Sequence, residues 1–386
     1  MARRTAESEP TPVDDAPRRA PSLNDLLGQD RAIGALRSAV ASGRIHHAWI
    51  FSGPAGVGKF TAAHAFGAML LDPTTAPNLA GEIEADPESE TQRLIGARSH
   101  PDLHIITKEL AAYSDDANVR ARKQTTIPKD VIVRHLLEPI ALAPTLRTGS
   151  MVGKVFIVDQ AELMDRSQTN APVQNAVLKT LEEPPPGSVI ILITSHEDRL
   201  LPTVRSRCQR IRFHLLDKSA MDEWFRRSEL DITPDERAWL ERFSAGSPGK
   251  AIEAATTGLY EWSRQLTPML DDMVRGRYSS QFAPTAASLM DEWAAAWVKR
   301  GEQSGGKPSK EAGNALATAH LFAILSDWTR HRLRAELDSP LSGHILHAID
   351  AMHEAEQALH ANVQPAFVLE RLASELVFDR SGAVSR

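Results

Sequence analysis

The segment Gly53-Pro54-Ala55-Gly56-Val57-Gly58-Lys59 satisfies G-x-x-x-x-G-K, and no other stretch of the 386-residue chain restricts its fold as strongly. A short apolar run, Ala48-Trp49-Ile50-Phe51, leads into it, and Thr61 to Leu71 reads as a helix leading out. That setting is what the loop needs. Its backbone N–H groups can converge on phosphate oxygens only between a fixed strand end and a helix start, whose partial positive charge adds to the attraction. Gly53, Gly56, Gly58 and Lys59 are therefore candidate phosphate contacts, with Lys59 reaching toward β and γ oxygens.

The strand-then-helix pattern recurs. Leu103–Ile106, Lys154–Val158 and Val189–Ile193 are nearly continuous apolar runs, and helical patterns cover 61–71, 131–142 and 173–183 between them. Apolar strands alternating with helices predict an α/β fold with a parallel sheet covered on both faces. Residues 72–99 read as a polar surface excursion with a short helix. The β signal stops near 214, after which 216–258 forms a small helical unit and 265–380 a longer all-helical one, broken by the Gly/Lys/Ser-rich 301–310 loop. Trp293, Trp297, Leu321, Ile324, Leu325 and Trp328 recur at helical spacing and read as core or subunit interface rather than a cofactor site. Residues 1–20, rich in Pro, Glu, Asp and Arg, read as a disordered leader.

Composition narrows the function classes. A formal net charge of −6 gives no globally basic surface for nucleic acid. No apolar run reaches the roughly 18 residues of a membrane span, and the start lacks the apolar core of a secretion signal, so a cytoplasmic protein without membrane association is expected. The single cysteine, Cys208, excludes an internal disulfide and any multi-cysteine zinc site, and reads as packing rather than nucleophile. No metal-binding residue set is expected.

The nucleotide motif is damaged. After the lysine the pattern wants Ser or Thr, whose hydroxyl coordinates magnesium. Phe60 has no oxygen there, and Thr61 is rotated away by a helical step of about 100°. Asp159, ending an apolar strand, is the natural magnesium-orienting carboxylate, but Gln160 follows where a water-activating glutamate is common. Glu162 reads as a solvated or capping carboxylate or as a displaced base. Thr194 and Ser195 end the next strand and suit either a turn cap or a contact with a γ-phosphate. Arg207, in Leu201-Pro202-Thr203-Val204-Arg205-Ser206-Arg207-Cys208, is by itself more often a surface or salt-bridging residue than a finger acting on another chain's phosphate.

Gly28-Gln29, His46-His47-Ala48-Trp49-Ile50-Phe51-Ser52-Gly53-Pro54, Asn175-Ala176-Val177-Leu178-Lys179-Thr180-Leu181-Glu182-Glu183-Pro184-Pro185 and Ser206-Arg207-Cys208 together resemble bacterial sliding-clamp-loader subunits of the AAA+ class. The resemblance covers about 23–255, and Ala361-Asn362-Val363-Gln364-Pro365 with Leu369-Glu370-Arg371-Leu372 is similar to the end of that family's collar domain. It implies an AAA+ P-loop core over 21–213, a helical lid over 214–262 and a helical collar for oligomerisation over 263–386. It also implies that Arg207 acts catalytically in trans, on Mg-ATP in a neighbouring subunit. The family's motor subunits, tau and gamma, carry Ser or Thr after the lysine, an Asp-Glu pair, four zinc-binding cysteines and a lid arginine. Phe60, Gln160, the lack of those cysteines and Gly249-Lys250 favour the non-motor, delta-prime type instead, with no zinc.

ATP is then the candidate ligand of a degenerate site made by Gly53, Gly56, Gly58, Lys59, Thr61, Asp159 and Thr194. Expected partners are tau/gamma and delta subunits, and through the complex the sliding clamp and primer-template DNA. The alternative readings are a weak tau/gamma-like ATPase and a scaffold that binds no nucleotide. Lys250 reads as solvent-exposed or a phosphate contact, and Arg122, Lys123 and Lys129 as a solvated loop or a DNA contact.

Overall fold

In the strands, even and odd residues face opposite ways, and here both sets are apolar. The structure, a computed structural model, describes residues 19–121, 125–146, 149–165, 169–303, 309–336, 341–361 and 363–377. The leader up to residue 18, Arg122, Lys123, Ser167, Gln168 and Asn362, and 304–308 of the Gly/Lys/Ser-rich loop, lie outside them. Two compact units emerge, one of residues up to Ser228 together with Gly246–Gly249, the other of Glu229–Ala245 together with residues from Lys250 onward.

In the first unit the strands are β1 (Ala48–Ser52), β2 (Ala76–Pro77), β3 (Ile83–Glu84), β4 (Leu103–Ile106), β5 (Lys154–Val158), β6 (Ser188–Thr194) and β7 (Gln209–Arg212). Five of them form one sheet in the order β4-β5-β6-β1-β7, and every pairing in it is parallel. Trp49, Phe51, Val155, Ile157, Ile191 and Ile193 pack on one face with helices α1 (Asp30–Ala41) and α2 (Lys59–Leu71). Ala48, Ile50, Phe156, Val158, Ile190 and Leu192 pack on the other. Covering that second face are α5 (Lys129–Ile132) with its continuation, α7 (Pro172–Glu182) and α8 (Pro202–Arg205). Each mid-sheet residue is thus buried whichever way it points, which is why these strands read as unbroken apolar runs.

Three local features were not legible. β7 has only Ile211 buried, with Arg210 and Arg212 exposed, so it lacks the apolar run of its neighbours. It is an edge strand, and charge on an edge also discourages pairing with other chains. The helix expected over 131–142 spans Lys129 to Ile140 but widens to a π turn at Val133–Leu137. Pro139, two residues after that turn, has no N–H to donate to it, so an ordinary α ladder cannot run through it. Ahead of that helix, the 3₁₀ turn Lys108–Tyr113 and α4 (Ala117–Ala121) occupy part of the charged stretch after β4; α6 (Glu138–Ile140) completes the π-bulged helix.

The polar excursion after α2 is tied down by one carboxylate. Asp72, 1% exposed, accepts from Thr74 N–H at 2.9 Å, Thr74 Oγ1 at 2.7 Å, Ser89 Oγ at 2.5 Å and Gln92 Nε2 at 2.9 Å. Ser89 in turn caps α3 (Glu90–Gly96), so the carboxylate joins the end of α2 to the start of α3. Burial pushes the Asp72 carboxyl up, but the hydrogen bonds from Ser89, Thr74 and Gln92 outweigh it and hold the pKa below the ordinary value. A depressed folded-state pKa means that this stabilisation is present above the unfolded pKa and is lost as pH falls through the folded one. Asp72→Asn, which replaces one acceptor by a donor, is expected to cost about 1–3 kcal/mol at neutral pH. Urea denaturation at pH 7 and pH 3 would measure it; a variant as stable as the parent at pH 7 would contradict the role given to Asp72.

The unit also holds α9 (Lys218–Arg227). In the second unit lie α10 (Pro234–Ser244), most of α11 (Pro248–Thr256), α12 (Leu259–Val274), α13 (Phe282–Gln303), α14 (Lys310–Ala335), α15 (Leu341–His360) and α16 (Pro365–Glu375). Trp293, Leu321, Ile324, Leu325 and Trp328 are buried there, and Trp297 is half-buried. The Trp328 indole N–H finds a partner in Asp271 Oδ1 at 3.0 Å, which also pairs with Arg332 at 3.2 Å. Leu346, Ile349 and Phe367 remain exposed on α15 and α16.

Candidate functional site at the strand tips

Because β5, β6 and β1 are adjacent and parallel, their carboxyl ends share one edge of the sheet, where ligands bind in open α/β folds. Ser52 pairs with Thr194 and Val158 with Leu192, so Gly53, Asp159 and Ser195 each emerge at that edge. The glycine loop joins β1 to α2. Gly53, Gly56 and Gly58 have φ of 145°, 73° and 94°, values that favour glycine, and Gly58 caps α2 in the left-handed conformation.

The loop's carbonyls turn toward the protein. Gly53 O and Pro54 O accept from Lys59 Nζ at 2.6 and 2.5 Å, Ala55 O from Ser247 Oγ at 2.9 Å, and Gly56 O from Gly249 N–H at 2.8 Å. Gln29 Nε2 approaches Val57 O at 3.5 Å while its amide group makes a paired contact with the His214 backbone, at 2.7 and 3.1 Å. Gln29, part of the family-like Gly28-Gln29 pair, ties the loop to the segment after β7. Four loop carbonyls are thus occupied, two of them by Lys59 itself.

Lys59 is 6% exposed, and besides the two carbonyls it donates to Ser195 Oγ at 3.1 Å. Burial lowers its pKa, with Glu162 and Asp159 opposing the shift through their charges. Glu162, also 6% exposed, is not the solvated carboxylate that sequence allowed: its Oε1 accepts from Ser195 N–H at 3.1 Å and so caps the end of β6. Its buried Oε2 has no hydrogen-bond partner among the described residues. Asp159 is half-buried; burial raises its pKa, Gln160 N–H bonded at 2.9 Å lowers it, and the nearby Glu162 charge raises it again.

The remaining candidates divide. Thr194 is fully buried, and its hydroxyl accepts from His196 N–H at 3.0 Å, so of the two strand-end residues Ser195 is the one in contact with Lys59. Gln160 is exposed with φ of 51°. Phe60 is 39% exposed and stacks on His64 at 6.0 Å, and Thr61 is half-buried one residue further along α2. Lys250 is exposed. These residues suit a phosphate group through the loop and the start of α2; Lys59, whose three N–H donors are on Gly53 O, Pro54 O and Ser195 Oγ, would exchange one of those bonds to reach it. They do not suit magnesium in the ordinary P-loop manner, because the position after Lys59 holds a phenyl ring. Among the described residues no group of three or more His, Cys, Asp or Glu is gathered to hold a metal.

Arg207 lies at the opposite edge. It precedes β7, whose first residue Gln209 pairs with Trp49 near the start of β1, whereas the glycine loop follows the last residue of β1. At roughly 3.3 Å per residue, the length of a strand separates the two, on the order of 13–17 Å. The guanidinium is bound at Nη2 by Glu182 Oε1 at 2.5 Å and at Nη1 by Thr203 O at 2.9 Å. Beside it, burial pushes the Cys208 thiol up to about 12, with the Arg210 charge opposing, so it is no thiolate at neutral pH.

A glycine loop running into a helix at the carboxyl tips of a parallel sheet defines a P-loop protein of the α/β class, here with extensive helical additions of the AAA+ kind. Comparison with known proteins narrows the class. The family model described as DNA polymerase III, delta subunit, matches residues 28–217. DNA polymerase III subunit delta-prime of Bacillus subtilis is 25% identical over 362 residues, 91% of this chain and 96% of that one. The Pseudomonas aeruginosa delta-prime subunit is 28% identical over 292 residues, covering 75% of this chain and 73% of its own. The tau/gamma subunit of Haemophilus influenzae reaches 32% identity, but over 53% of this chain and 25% of its own. This chain belongs to the DNA polymerase III delta/delta-prime family of clamp-loader subunits, within the AAA+ superfamily. No helix of the described residues is long and apolar enough to cross a membrane.

Proposed function

We propose that the chain is a non-motor, delta-prime-like subunit of a replicative sliding-clamp loader that supplies Arg207 in trans to the nucleotide site of a neighbouring ATPase subunit. The observation that carries this reading is the position of Arg207 at the edge of the sheet opposite its own glycine loop. From there the guanidinium serves no phosphate bound at Gly53–Lys59, but its partly exposed fork is accessible to another chain. Arg207 would donate hydrogen bonds to γ-phosphoryl oxygens of the neighbour's Mg-ATP, stabilising charge that develops during transfer.

At its own loop, the amides and Lys59 would hold ATP phosphates, and intrinsic hydrolysis is weak or absent. The missing hydroxyl at Phe60 and the neutral amide of Gln160 support that assignment, since an amide orients water without taking its proton. Residues 263–386 act as the collar, for which the exposed Leu346, Ile349 and Phe367 offer apolar contact surface, and 214–262 as the lid. The partners are tau/gamma and delta subunits and, through the complex, the clamp and primer-template DNA, in the cytoplasm. Arg207→Ala in a reconstituted complex tests the reading: turnover should fall while assembly persists.

One observation favours a second reading, a weak tau/gamma-like ATPase. The buried Glu162 carboxylate, with Oε2 unpartnered among the described residues, belongs to the same group of charges as Lys59 and Asp159 and would serve as a displaced base. Turnover by the purified chain that disappears in Lys59→Ala would support it.

A further inference from the structure

We infer that Glu182 is the positioning residue for Arg207, fixing the guanidinium from within the same chain so that its remaining donors face a neighbouring phosphate. This rests on the trans role of Arg207 and goes beyond it, because it assigns a function to a residue outside the nucleotide site. A free arginine side chain samples many rotamers, and a finger that must find its geometry at each turnover loses rate. Here the sampling is already restricted. Glu182 Oε1 takes Nη2 at 2.5 Å, Thr203 O takes Nη1 at 2.9 Å, and Ser206 Oγ lies 3.4 Å from Nη1. A guanidinium has five N–H donors, so these contacts set its plane without exhausting it. The side chain keeps 34% of its surface exposed.

The carboxylate itself stands on a fixed base. Glu182 is the last residue of α7, and the carbonyl of Leu181 just before it is bonded to His47 Nε2 at 2.9 Å. His47 immediately precedes β1, so the platform under Arg207 is attached to the interior strand that pairs with β7. Glu182→Gln keeps an oxygen that accepts from Nη2; Glu182→Ala keeps nothing. Positioning therefore predicts different results for the two variants, whereas a general structural role would show itself in stability.

The test uses the assembled complex with the cognate ATPase subunits and the clamp. Single-turnover hydrolysis at the neighbouring subunit's site, which gives kcat for that site alone, is measured with this chain as wild type, Glu182→Gln, Glu182→Ala, Arg207→Ala and the Glu182→Ala/Arg207→Ala double variant, and each variant's thermal midpoint is recorded. Glu182→Ala is expected to lower kcat by about three- to ten-fold with KM for ATP unchanged. Glu182→Gln should stay within about two-fold of wild type, and the double variant should match Arg207→Ala alone. If Arg207→Ala lowers kcat and Glu182→Ala does not, or raises it, the inference is overturned and the trans role stands. Additive losses, or a Gln variant as slow as Ala, would also overturn it. If Arg207→Ala itself leaves turnover unchanged, the trans role fails and the inference falls with it.

Discussion

Replacing Arg207 with alanine is expected to slow hydrolysis at the neighbouring subunit's site by about 10³-fold or more, the scale of other arginines supplied in trans. The complex should still assemble. In this chain the guanidinium contacts only exposed or backbone partners, and its ion pair with Glu182, with side chains 34% and 48% exposed, is of a kind worth at most about 1 kcal/mol. Little folding stability is therefore at stake, and a large kinetic loss would have to come from the chemistry. Total turnover would fall by the share of that one site, so single-turnover measurement is the better readout. Arg207→Lys should not restore the rate, because a single ammonium cannot replace the planar fork. A complex containing Arg207→Ala that hydrolyses ATP at the wild-type rate would contradict the prediction.

Gly53→Ala is expected to be the most destabilising single methyl in the nucleotide loop. Gly53 has φ of 145°, where side-chain-bearing residues are rare. A Cβ there would lie 2.3 Å from the carbonyl oxygen of Phe213, which is backbone and cannot rotate aside. Phe213 N–H is bonded to Ser52 O at 2.8 Å, so relieving the clash would pull the segment after β7 away from β1. Strain and overpacking together amount to about 3–5 kcal/mol. For a unit of this size that is a loss of roughly 6–20 °C in thermal midpoint. Scanning calorimetry of the full chain would measure it, and a midpoint within about 2 °C of the parent would refute the tight packing described for Gly53.

The central sheet was legible because its strands are buried on both faces, so Ala48–Phe51, Lys154–Val158 and Val189–Ile193 carry an uninterrupted apolar signal. β7 was not, because an edge strand buries one residue and decorates itself with arginines. The loop glycines and Lys59 were legible from spacing alone. What spacing could not give was the direction of each side chain. Thr194 and Ser195 are equivalent in sequence, yet the alternation along β6 sends the first into the turn and leaves the second beside Lys59. Glu162 reads in sequence as a solvated or capping carboxylate or as a displaced base, and only the fold brings it under Ser195 N–H. Likewise, nothing in the local sequence links Glu182 with Arg207, 25 residues apart; the link exists because both the end of α7 and the residues before β7 return to the same edge of the sheet.

The central claim is that this chain contributes to hydrolysis from Arg207 and not from Lys59. The most direct measurement is single-turnover ATP hydrolysis by two otherwise identical complexes, one carrying Lys59→Ala in this chain and the other Arg207→Ala. The account predicts near-normal hydrolysis with Lys59→Ala and a loss of the neighbouring site's turnover with Arg207→Ala. Normal hydrolysis with Arg207→Ala and a loss with Lys59→Ala would contradict it.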